Sequence, residues 1–453
     1  MSNEKNVISV DFGSVCGRIG PMHAVNNGPI CKLPAGDQLK VNDWAFRAAG
    51  IPYARFHDSS FCSSYGGEHT VDVSNIFTDF SADADNPSAY DFAMTDKYVA
   101  DTLSCCGVFY RLGSKIEHGV KKYNTLPPAD FHKWARVCEH IIAHYTEGWA
   151  DGFNYDISYW EIWNEPDLYP DDSQVKTTWG GSAKQFYELY TIAAEHLKAR
   201  FPHLKIGGPA LASVYHENDG WLDGFFQALT RDGKRVPLDF LSWHIYARNP
   251  YQISAAAKHV RGIMDKYGYC DAESILNEWN YVRDWKAGFV KSLQDVKSHK
   301  GAAFTAAVMT EAQHSGIDMC MYYDARPCGF NGLFDTDTLR PLKAYYAFKA
   351  FNELYKLGDE VKTEAAGDGV YALAARKGCH GALLAVNYAD DDNRLWQQVE
   401  IKASGARITD ADIFVTDVSR TLTFADTADF SEGSIDLQLE NYSFALIRFN
   451  FCR

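Results

Sequence analysis

The sequence predicts an α/β fold in which a (β/α)8 TIM barrel is followed by an all-β sandwich at the carboxyl end. Eight short apolar segments alternate with segments of helical periodicity, which is typical of a barrel. A doubly wound open sheet has the same alternation, but no Gly-rich phosphate loop follows the first strand to favour it. From Gly369 onward the pattern changes to a period of two with frequent turns and no helix, which indicates the sandwich.

The alternating segments define three parts of the chain. The predicted barrel strands are 21–24, 51–57, 107–112, 157–163, 204–208, 238–246, 274–278 and 318–323. Helical periodicity is clearest in 128–146, 183–200 and 341–355. We therefore predict a catalytic barrel over 19–356 and a β-sandwich over 357–453, with an amino-terminal strand within 1–18 that packs on the sandwich.

Composition limits the partners. The net charge of −15 argues against nucleic acid and against anionic membranes, because both demand basic patches. The 46% hydrophobic content supports a large core, and no segment is apolar enough for a membrane span. A small oligosaccharide or glycoside is the expected partner, and self-association into a homo-oligomer is left open.

Cysteine usage and the amino terminus bear on compartment and cofactors. No basic segment followed by an apolar run opens the sequence, so a cytoplasmic protein is expected. The 11 cysteines form no CxxC pair and are interpreted as reduced thiols. His140 and His144 have helical spacing with Glu139, but the order is not that of a metalloprotease helix. We predict neither a metal nor another cofactor.

Two strand ends carry carboxylates. In the stretch 157–167 an aromatic-rich strand precedes Asn164, Glu165 and Pro166, and Pro166 stops the strand. In the stretch 273–281 an apolar strand leads to Glu278. The carboxyl ends of barrel strands are rigid positions at the mouth, where catalytic groups lie.

Paired carboxylates at a barrel mouth predict glycosidic-bond hydrolysis. That reaction needs a proton donor for the leaving oxygen and a carboxylate that meets the oxocarbenium-like carbon. Strands four and seven can direct Glu165 and Glu278 toward each other across the mouth. Carboxyl groups about 5–5.5 Å apart would give retention, and a wider pair would give inversion.

Neighbouring polar residues suggest the roles. Asn164 is expected to hold a sugar 2-hydroxyl, a contact that strengthens in the transition state. His244 and Tyr246 share one face of the sixth strand, so Tyr246 can donate to Glu278 if that face is the lumen. Arg55 supplies a nearby cation. Glu278 should then stay ionised while Glu165, beside Trp160 and Trp163, keeps its proton.

Some positions keep two interpretations. Glu161 lies four residues before Glu165 and would share its facing on a regular strand, so it is the competing carboxylate. Strand-end glutamates are often structural ion-pair partners, and a single Asn-Glu-Pro is weak. Trp243 and Trp279 are equally suited to barrel packing and to sugar stacking.

The motif set resembles clan A of the retaining glycoside hydrolases. It consists of Asn-Glu-Pro after strand four, Asn-Glu-Trp at strand seven, Arg-Phe-His after strand two and His-Ile-Tyr on strand six. The WNEPD context, Arg55 to Asp58, the run Gly207 to Pro209 and the carboxy-terminal sandwich are most similar to glycoside hydrolase family 39. That family contains β-xylosidases and α-L-iduronidases.

The resemblance implies residue roles. Glu165 would be the acid/base and Glu278 the nucleophile, supported by Asn164, Arg55, His244 and Tyr246. His57 and Asp58 would contact the sugar in the −1 subsite. Clan members usually place a Trp at the end of strand eight, where this chain has Tyr322 and Tyr323. Tyr323 is the preferred pocket residue, but a one-residue slip would exchange the two.

The expected function is a retaining exo-glycosidase of the β-xylosidase type that uses a two-glutamate double displacement. An enzyme acting on α-L-arabinosides or on another plant or host glycan is the first alternative; a uronic acid substrate is disfavoured by the negative charge. A barrel that binds sugar without cleaving it is the second alternative. A degenerate enzyme normally loses one carboxylate, and both are present here.

Overall fold

The computed structural model describes residues 6–31, 40–59, 67–120, 122, 124–215 and 220–451. The first strand, β1 (Asn6–Arg18), belongs to a second sheet outside the barrel. The eight barrel strands come next in the chain, and neighbours in the sequence are also neighbours around the barrel. They are β2 (Ala24–Asn26), β3 (Tyr53–Phe56), β4 (Gly107–Leu112), β5 (Tyr159–Ile162), β6 (Lys205–Leu211), β7 (Phe240–Ala247), β8 (Glu273–Tyr281) and β9 (Met319–Tyr322). All eight are parallel, and β2 pairs with β9, so the barrel closes and the open doubly wound sheet is excluded.

Helices connect the barrel strands. They are α1 (Asp43–Ala49), α2 (Val73–Ile76), α3 (Ala93–Leu103), α4 (Phe131–Glu147), α5 (Ala183–Arg200), α6 (Trp221–Leu229), α7 (Pro250–Lys266), α8 (Phe289–Val296), α9 (His299–Gln313) and α10 (Lys343–Leu357). Helix α5 has the predicted bounds because Ser182 and Gln185 form a capping box at its start. None of the helices in the described ranges combines the length and apolarity that a bilayer crossing requires.

Only β4 has the predicted bounds, and three of the other seven strands differ in ways that bear on the site. The first strand is β2, three residues later than predicted, because residues 22 and 23 form a turn after Pro21. Strand β5 ends at Ile162 because the backbone of Trp163 turns to a φ of 73°. Strand β8 runs beyond Glu278 as far as Tyr281, since it stays paired with β7 up to Ala247.

The barrel interior is layered. Its lower layer is a small apolar cluster, separate from the main core between the barrel and its helices. The cluster consists of Ala24, Phe109, Tyr159, Phe240, Ile275, Met319 and Met321, with Tyr53 packed against it. Because these side chains fill the lower lumen, the polar residues further along the same strands lie toward the carboxyl-terminal mouth.

The second sheet contains the rest of the strands. They are β10 (Asp359–Ala366), β11 (Val370–Lys377), β12 (His380–Asn387), β13 (Gln397–Ser404), β14 (Ile408–Thr416), β15 (Thr423–Asp429), β16 (Ser434–Leu439) and β17 (Ser443–Phe451). The order across the sheet is β15-β14-β17-β12-β11-β10-β1-β13-β16. Strand β1 lies inside this sheet, antiparallel to β10 and parallel to β13.

These nine strands are hydrogen-bonded as one sheet that curls over its own apolar face. Phe430 meets Phe449 with ring centroids 5.1 Å apart, and Asn387 Nδ2 donates to Leu439 O at 3.1 Å. The enclosed face includes Ile8, which belongs to β1. The predicted fold class, a barrel followed by a β-sandwich, is therefore confirmed.

A buried ion cluster joins the sandwich to the barrel. Lys300 Nζ, whose side chain is 3% exposed, lies 2.7 Å from Asp390 Oδ1 and 2.8 Å from Asp392 Oδ1. Tyr281, the last residue of β8, donates its hydroxyl to Asp390 at 2.9 Å. Arg283 Nη2 lies 3.0 Å from the same carboxylate. The sandwich loop that follows β12 therefore holds the end of the strand that carries Glu278.

Lys300→Ala is expected to lower the free energy of unfolding by about 3 kcal/mol, because it removes a buried cation from the buried carboxylate of Asp390. Lys362→Ala is the matched control: the exposed Lys362 pairs with Glu364 at 3.1 Å, and its loss should cost under about 1 kcal/mol. Urea unfolding followed by tryptophan fluorescence measures both. Equal effects in the two variants would mean that the interdomain cluster adds no stability.

Candidate active site

A buried polar layer lies above the apolar cluster of the barrel. Arg55 on β3 is fully buried and donates from Nε to Glu161 Oε2 at 2.7 Å and from Nη1 to Asn26 Oδ1 at 3.0 Å. Its Nη2 donates to Asn164 Oδ1 at 2.7 Å. Glu161 also accepts a hydrogen bond from Asn277 Nδ2. Glu161 is thus occupied as a counter-ion below the site, which accounts for the competing carboxylate.

Glu165 reaches the mouth through an irregular backbone rather than a regular strand. Trp163 and Glu165 have φ values of 73° and 48°, a region that few non-glycine residues adopt. The backbone N–H of Glu165 donates to Ala210 O at 2.8 Å, and Thr178 Oγ1 donates to Glu165 O at 2.6 Å. These contacts fix a strained turn that directs the carboxyl group across the barrel mouth.

Glu278 lies opposite, on β8, and is held by three groups. Tyr246 donates its hydroxyl to Glu278 Oε1 at 2.6 Å. Arg55 Nη1 lies 3.4 Å and His244 Nδ1 3.8 Å from Oε2. The glutamate side chain is 8% exposed. The sixth-strand face that carries His244 and Tyr246 therefore points into the lumen, as the sequence argument required.

The two glutamates form a close pair. His244 Nδ1 lies 2.8 Å from Glu165 Oε1, and one oxygen of each carboxylate together with a nitrogen of this histidine lie within 4.8 Å of one another. This separation matches the shorter of the two spacings used by glycosidases, in which the second carboxylate attacks carbon directly. The pair can therefore perform a double displacement.

The environments of the two carboxyl groups differ. Burial and the charge of Asp167 raise the pKa of Glu165 to about 8. Burial also raises the pKa of Glu278, but His244, Arg55 and the Tyr246 hydroxyl oppose that rise. Glu165 therefore carries a proton at neutral pH, and the hydrogen bonds and positive charges around Glu278 favour its ionised form.

Asn164 has a free donor at the centre of the site. Its Oδ1 is taken by Arg55, whereas its buried Nδ2 has no hydrogen-bond partner among the described residues. Buried amide donors are rarely left unpaired. This N–H group is available to a ligand hydroxyl that lies between the two glutamates.

His57 and Asp58 line the side of the site nearest β3 and β9. Asp58 Oδ2 lies 3.0 Å from Arg326 Nη1, and its Oδ1 lies 3.2 Å from Lys115 Nζ. Burial opposes ionisation of Asp58, but His57, Arg326 and Lys115 hold its pKa below the ordinary value. Burial lowers the pKa of His57, so its imidazole is neutral. A charged carboxylate and a neutral imidazole meet here, both suited to sugar hydroxyls.

Tyr323, and not Tyr322, faces the pocket. The Tyr323 ring lies edge-on to His57 at 5.9 Å, and the residue lines the cavity. Tyr322 is buried outside the barrel against Trp279 and Phe348. Trp243 and Trp279 are fully buried in the main core. Both tryptophans therefore pack the barrel and provide no sugar platform.

The site opens into a cavity of about 650 Å³ that contains both glutamates. The residues that the sequence analysis missed include Arg326 and Trp285, which line the cavity, and Lys115, which contacts Asp58. Lys115 and Arg326 follow the ends of β4 and β9 by three and four residues. A search that included the four residues after each strand end would have found both cations. Trp285 lies seven residues beyond Glu278, where the sequence analysis ended that strand, so the same search would have missed it.

Two groups in the described ranges gather three metal-type donor atoms within 4.8 Å. The first is Glu165, His244 and Glu278, where Arg55 already provides a cation. The second is Cys31, Asp43 and Cys105, where Arg47 contacts both Asp43 and the Cys105 sulfur. In each group a guanidinium contacts at least one of the donor atoms.

Tyr246→Phe is expected to lower kcat/KM about tenfold at neutral pH, because a hydrogen bond to a charged nucleophile is lost. That hydrogen bond lowers the pKa of Glu278, so its loss raises this pKa and moves the acidic limb of the pH profile of kcat/KM to higher pH. Tyr322→Phe is the matched control, since it removes a buried tyrosine hydroxyl outside the pocket. An unmoved acidic limb in Tyr246→Phe would contradict the assignment.

Comparison with known proteins gives one family. Residues 71–278 match the profile of glycosyl hydrolases family 39, and this range contains both glutamates. A β-xylosidase of Geobacillus stearothermophilus is 33% identical over 316 residues, which are 63% of this chain and 55% of that protein. The chain thus spans about half the length of this curated relative.

Solved structures resemble the whole chain. A glucosidase from Croceicoccus marinus superposes with a TM-score of 0.79 at 25% identity and covers 100% of both chains. A monomeric β-xylosidase from Caulobacter crescentus CB15 gives a TM-score of 0.68 at 15% identity, covering 99% of this chain and 100% of the other. The second likeness is one of fold alone.

Proposed function

Residues 71–278 of this chain belong to glycosyl hydrolases family 39, and from that premise we propose that the protein is a retaining exo-glycosidase of the β-xylosidase type. The observation that carries the proposal is the pair of glutamates, whose oxygens lie within 4.8 Å of each other with opposite electrostatic support. So close an approach favours the retaining arrangement over the wider spacing that seats a water.

The first half-reaction breaks the glycosidic bond. The carboxylate of Glu278 attacks the anomeric carbon while the bond to the leaving oxygen breaks, and Glu165 delivers its proton to that oxygen. The products are an alcohol and a glycosyl ester of Glu278. Asn164 Nδ2 donates to the 2-hydroxyl, a hydrogen bond that strengthens as positive charge develops on the ring.

The second half-reaction regenerates the enzyme. Glu165, now a carboxylate, takes a proton from water as the water oxygen attacks the anomeric carbon. The ester bond breaks and Glu278 recovers its carboxylate. Two inversions at one carbon leave its configuration unchanged.

Release of a single terminal sugar is supported by the closed end of the cavity. Tyr323 and Arg326 line that end, and Arg326 is held by the buried carboxylates of Asp58 and Asp324. A chain threaded through the site would collide with this wall. A short substrate that enters from the open side fits a cavity of about 650 Å³.

We place the protein in the cytoplasm. None of the nine cysteines within the described ranges forms a disulfide, and Cys16 and Cys270 among them are exposed. Unpaired exposed thiols suit a reducing compartment. Glycosides small enough to be imported are the matching substrates.

A glucoside is the second candidate substrate, because the glucosidase of Croceicoccus marinus resembles this chain over its whole length. The two candidates differ by the hydroxymethyl group at C5 of the sugar. They share the reaction and the residues assigned above.

The test is hydrolysis of 4-nitrophenyl glycosides: β-xyloside, α-L-arabinosides, β-glucoside and β-galactoside. The Glu278→Ala variant is assayed in parallel, and proton NMR records the anomer released first. Hydrolysis of one glycoside with retained configuration, absent in the variant, supports the proposal. An inverted first product, or turnover that survives in the variant, overturns the mechanism. Sugar binding without turnover of any substrate by the wild-type enzyme leads to the non-catalytic barrel instead.

A further inference from the structure

We infer that Tyr215 and Trp285 form a leaving-group subsite that binds its occupant by the flat apolar face of a ring. The inference rests on the proposed glycosidase function and adds the chemistry of the group that departs. Both side chains line the same cavity as Glu165 and Glu278. Both are also large aromatic groups left exposed to solvent, by 48% and 57%.

Tyr215 is a fixed platform. One face of its ring stacks on His259 with centroids 5.1 Å apart and an angle of 28° between the planes. His259 Nε2 in turn lies 3.1 Å from Val214 O, and the backbone N–H of Tyr215 donates to Ser213 Oγ at 3.1 Å. The backed ring therefore presents its second face to the cavity without needing to reorganise.

Trp285 has the same design and lines the same cavity. Its indole stacks on Phe289 with centroids 5.5 Å apart and an interplanar angle of 20°. Its edge contacts Tyr246 at 5.0 Å, the residue that donates to Glu278. An aromatic face at the rim of a catalytic cavity leaves apolar area in contact with water, and a ring of the ligand can cover that area.

The position of Glu165 decides which part of a substrate meets these rings. The acid must lie beside the leaving oxygen, so the leaving group lies on the side of Glu165 that faces away from Asp58 and Arg326. On that side the cavity is lined by Leu168, Ala212, Ser213, Val214 and Tyr215, and the Ser213 hydroxyl oxygen already accepts the backbone N–H of Tyr215. The charged lining groups belong to the glycone end, and the leaving-group side offers apolar contact.

This lining selects a leaving group with a broad apolar face. Either an aryl aglycone or the C–H face of a second sugar ring satisfies that chemistry, because both stack on aromatic side chains. A small leaving group gains nothing from the two rings. The subsite should therefore affect the rate of the first half-reaction alone, since the leaving group has departed before water attacks the glycosyl ester.

The experiment compares three substrates that share the sugar identified by the nitrophenyl panel. They are the β-glycosyl fluoride, the 4-nitrophenyl β-glycoside and the corresponding disaccharide. Tyr215→Ala and Trp285→Ala should each lower kcat/KM about tenfold for a ring-bearing leaving group. Hydrolysis of the fluoride should stay within about twofold of wild type. A loss confined to the nitrophenyl arm identifies an aryl aglycone, and a loss confined to the disaccharide identifies a sugar ring.

Matched variants separate stacking from structural damage. Tyr215→Phe keeps the ring and should retain wild-type kcat/KM, whereas Trp44→Ala removes an exposed aromatic residue outside the cavity and should change nothing. An equal loss on the fluoride, or no loss on either ring-bearing substrate, overturns the subsite. A wild-type enzyme that hydrolyses none of the panel overturns the proposed function itself, and the subsite with it.

Discussion

Glu278→Ala is expected to reduce kcat/KM by about 10⁴-fold or more, on every substrate, because the covalent route is lost. Nothing else within reach replaces the carboxylate: Glu161 is bound to Arg55 and Asn277 below the site. The loss should be independent of leaving-group acidity, since the nucleophile is needed whatever departs. Steady-state kinetics with the nitrophenyl and fluoride substrates measures it.

Azide gives this prediction a stereochemical check. In Glu278→Ala, azide can enter the vacated space and attack the substrate once, which yields a glycosyl azide of inverted configuration. Proton NMR of the product distinguishes it from the retained azide. Two results would show that the roles are reversed. One is a glycosyl azide of retained configuration from Glu278→Ala. The other is a glycosyl azide of inverted configuration from Glu165→Gln, with no azide product from Glu278→Ala.

Glu165→Gln is expected to reduce kcat/KM by about 10³-fold for substrates with poor leaving groups and far less for the fluoride. The raised pKa of Glu165, about 8, keeps the acid protonated through neutral pH. In the wild-type enzyme kcat/KM should therefore fall as the pH rises through about 8, when the proton is lost. Glutamine has no titratable proton, so this basic limb should vanish.

The leaving-group dependence is the control for Glu165→Gln. Azide should restore turnover of activated substrates by attacking the glycosyl ester of Glu278, with net retention of configuration. If the disaccharide and the fluoride lose activity equally, Glu165 does not protonate the leaving oxygen. A basic limb that persists near pH 8 would assign that titration to another group.

Much of the fold and part of the site follow from local patterns. Apolar segments that alternate with helical segments define the barrel. The carboxylates of Glu165 and Glu278 meet at its mouth as expected, although β8 continues past Glu278 to Tyr281. The facing of His244 and Tyr246 follows from the two-residue repeat of a strand. These are properties of neighbouring residues, so one sequence contains them.

Other features depend on distant contacts. Glu161 and Glu165 share a facing only on a regular strand, and the positive φ of Trp163 and Glu165 ends that regularity. The turn is stabilised by Ala210 and Thr178, which lie far along the chain. The ion pair of Asp58 with Arg326 likewise joins residues from the beginning and the end of the barrel sequence. No periodicity within one segment encodes these contacts.

The position of β1 has a consequence for biosynthesis. Its partners β10 and β13 are translated only after the entire barrel, so Ile8 and the neighbouring apolar residues of β1 wait without their sheet. At about 5–20 residues per second, that interval is on the order of tens of seconds. During it the nascent chain carries an unpaired apolar strand, the kind of segment that chaperones bind. The sandwich can therefore be completed only after the barrel has been translated, when β1 pairs with β10 and β13.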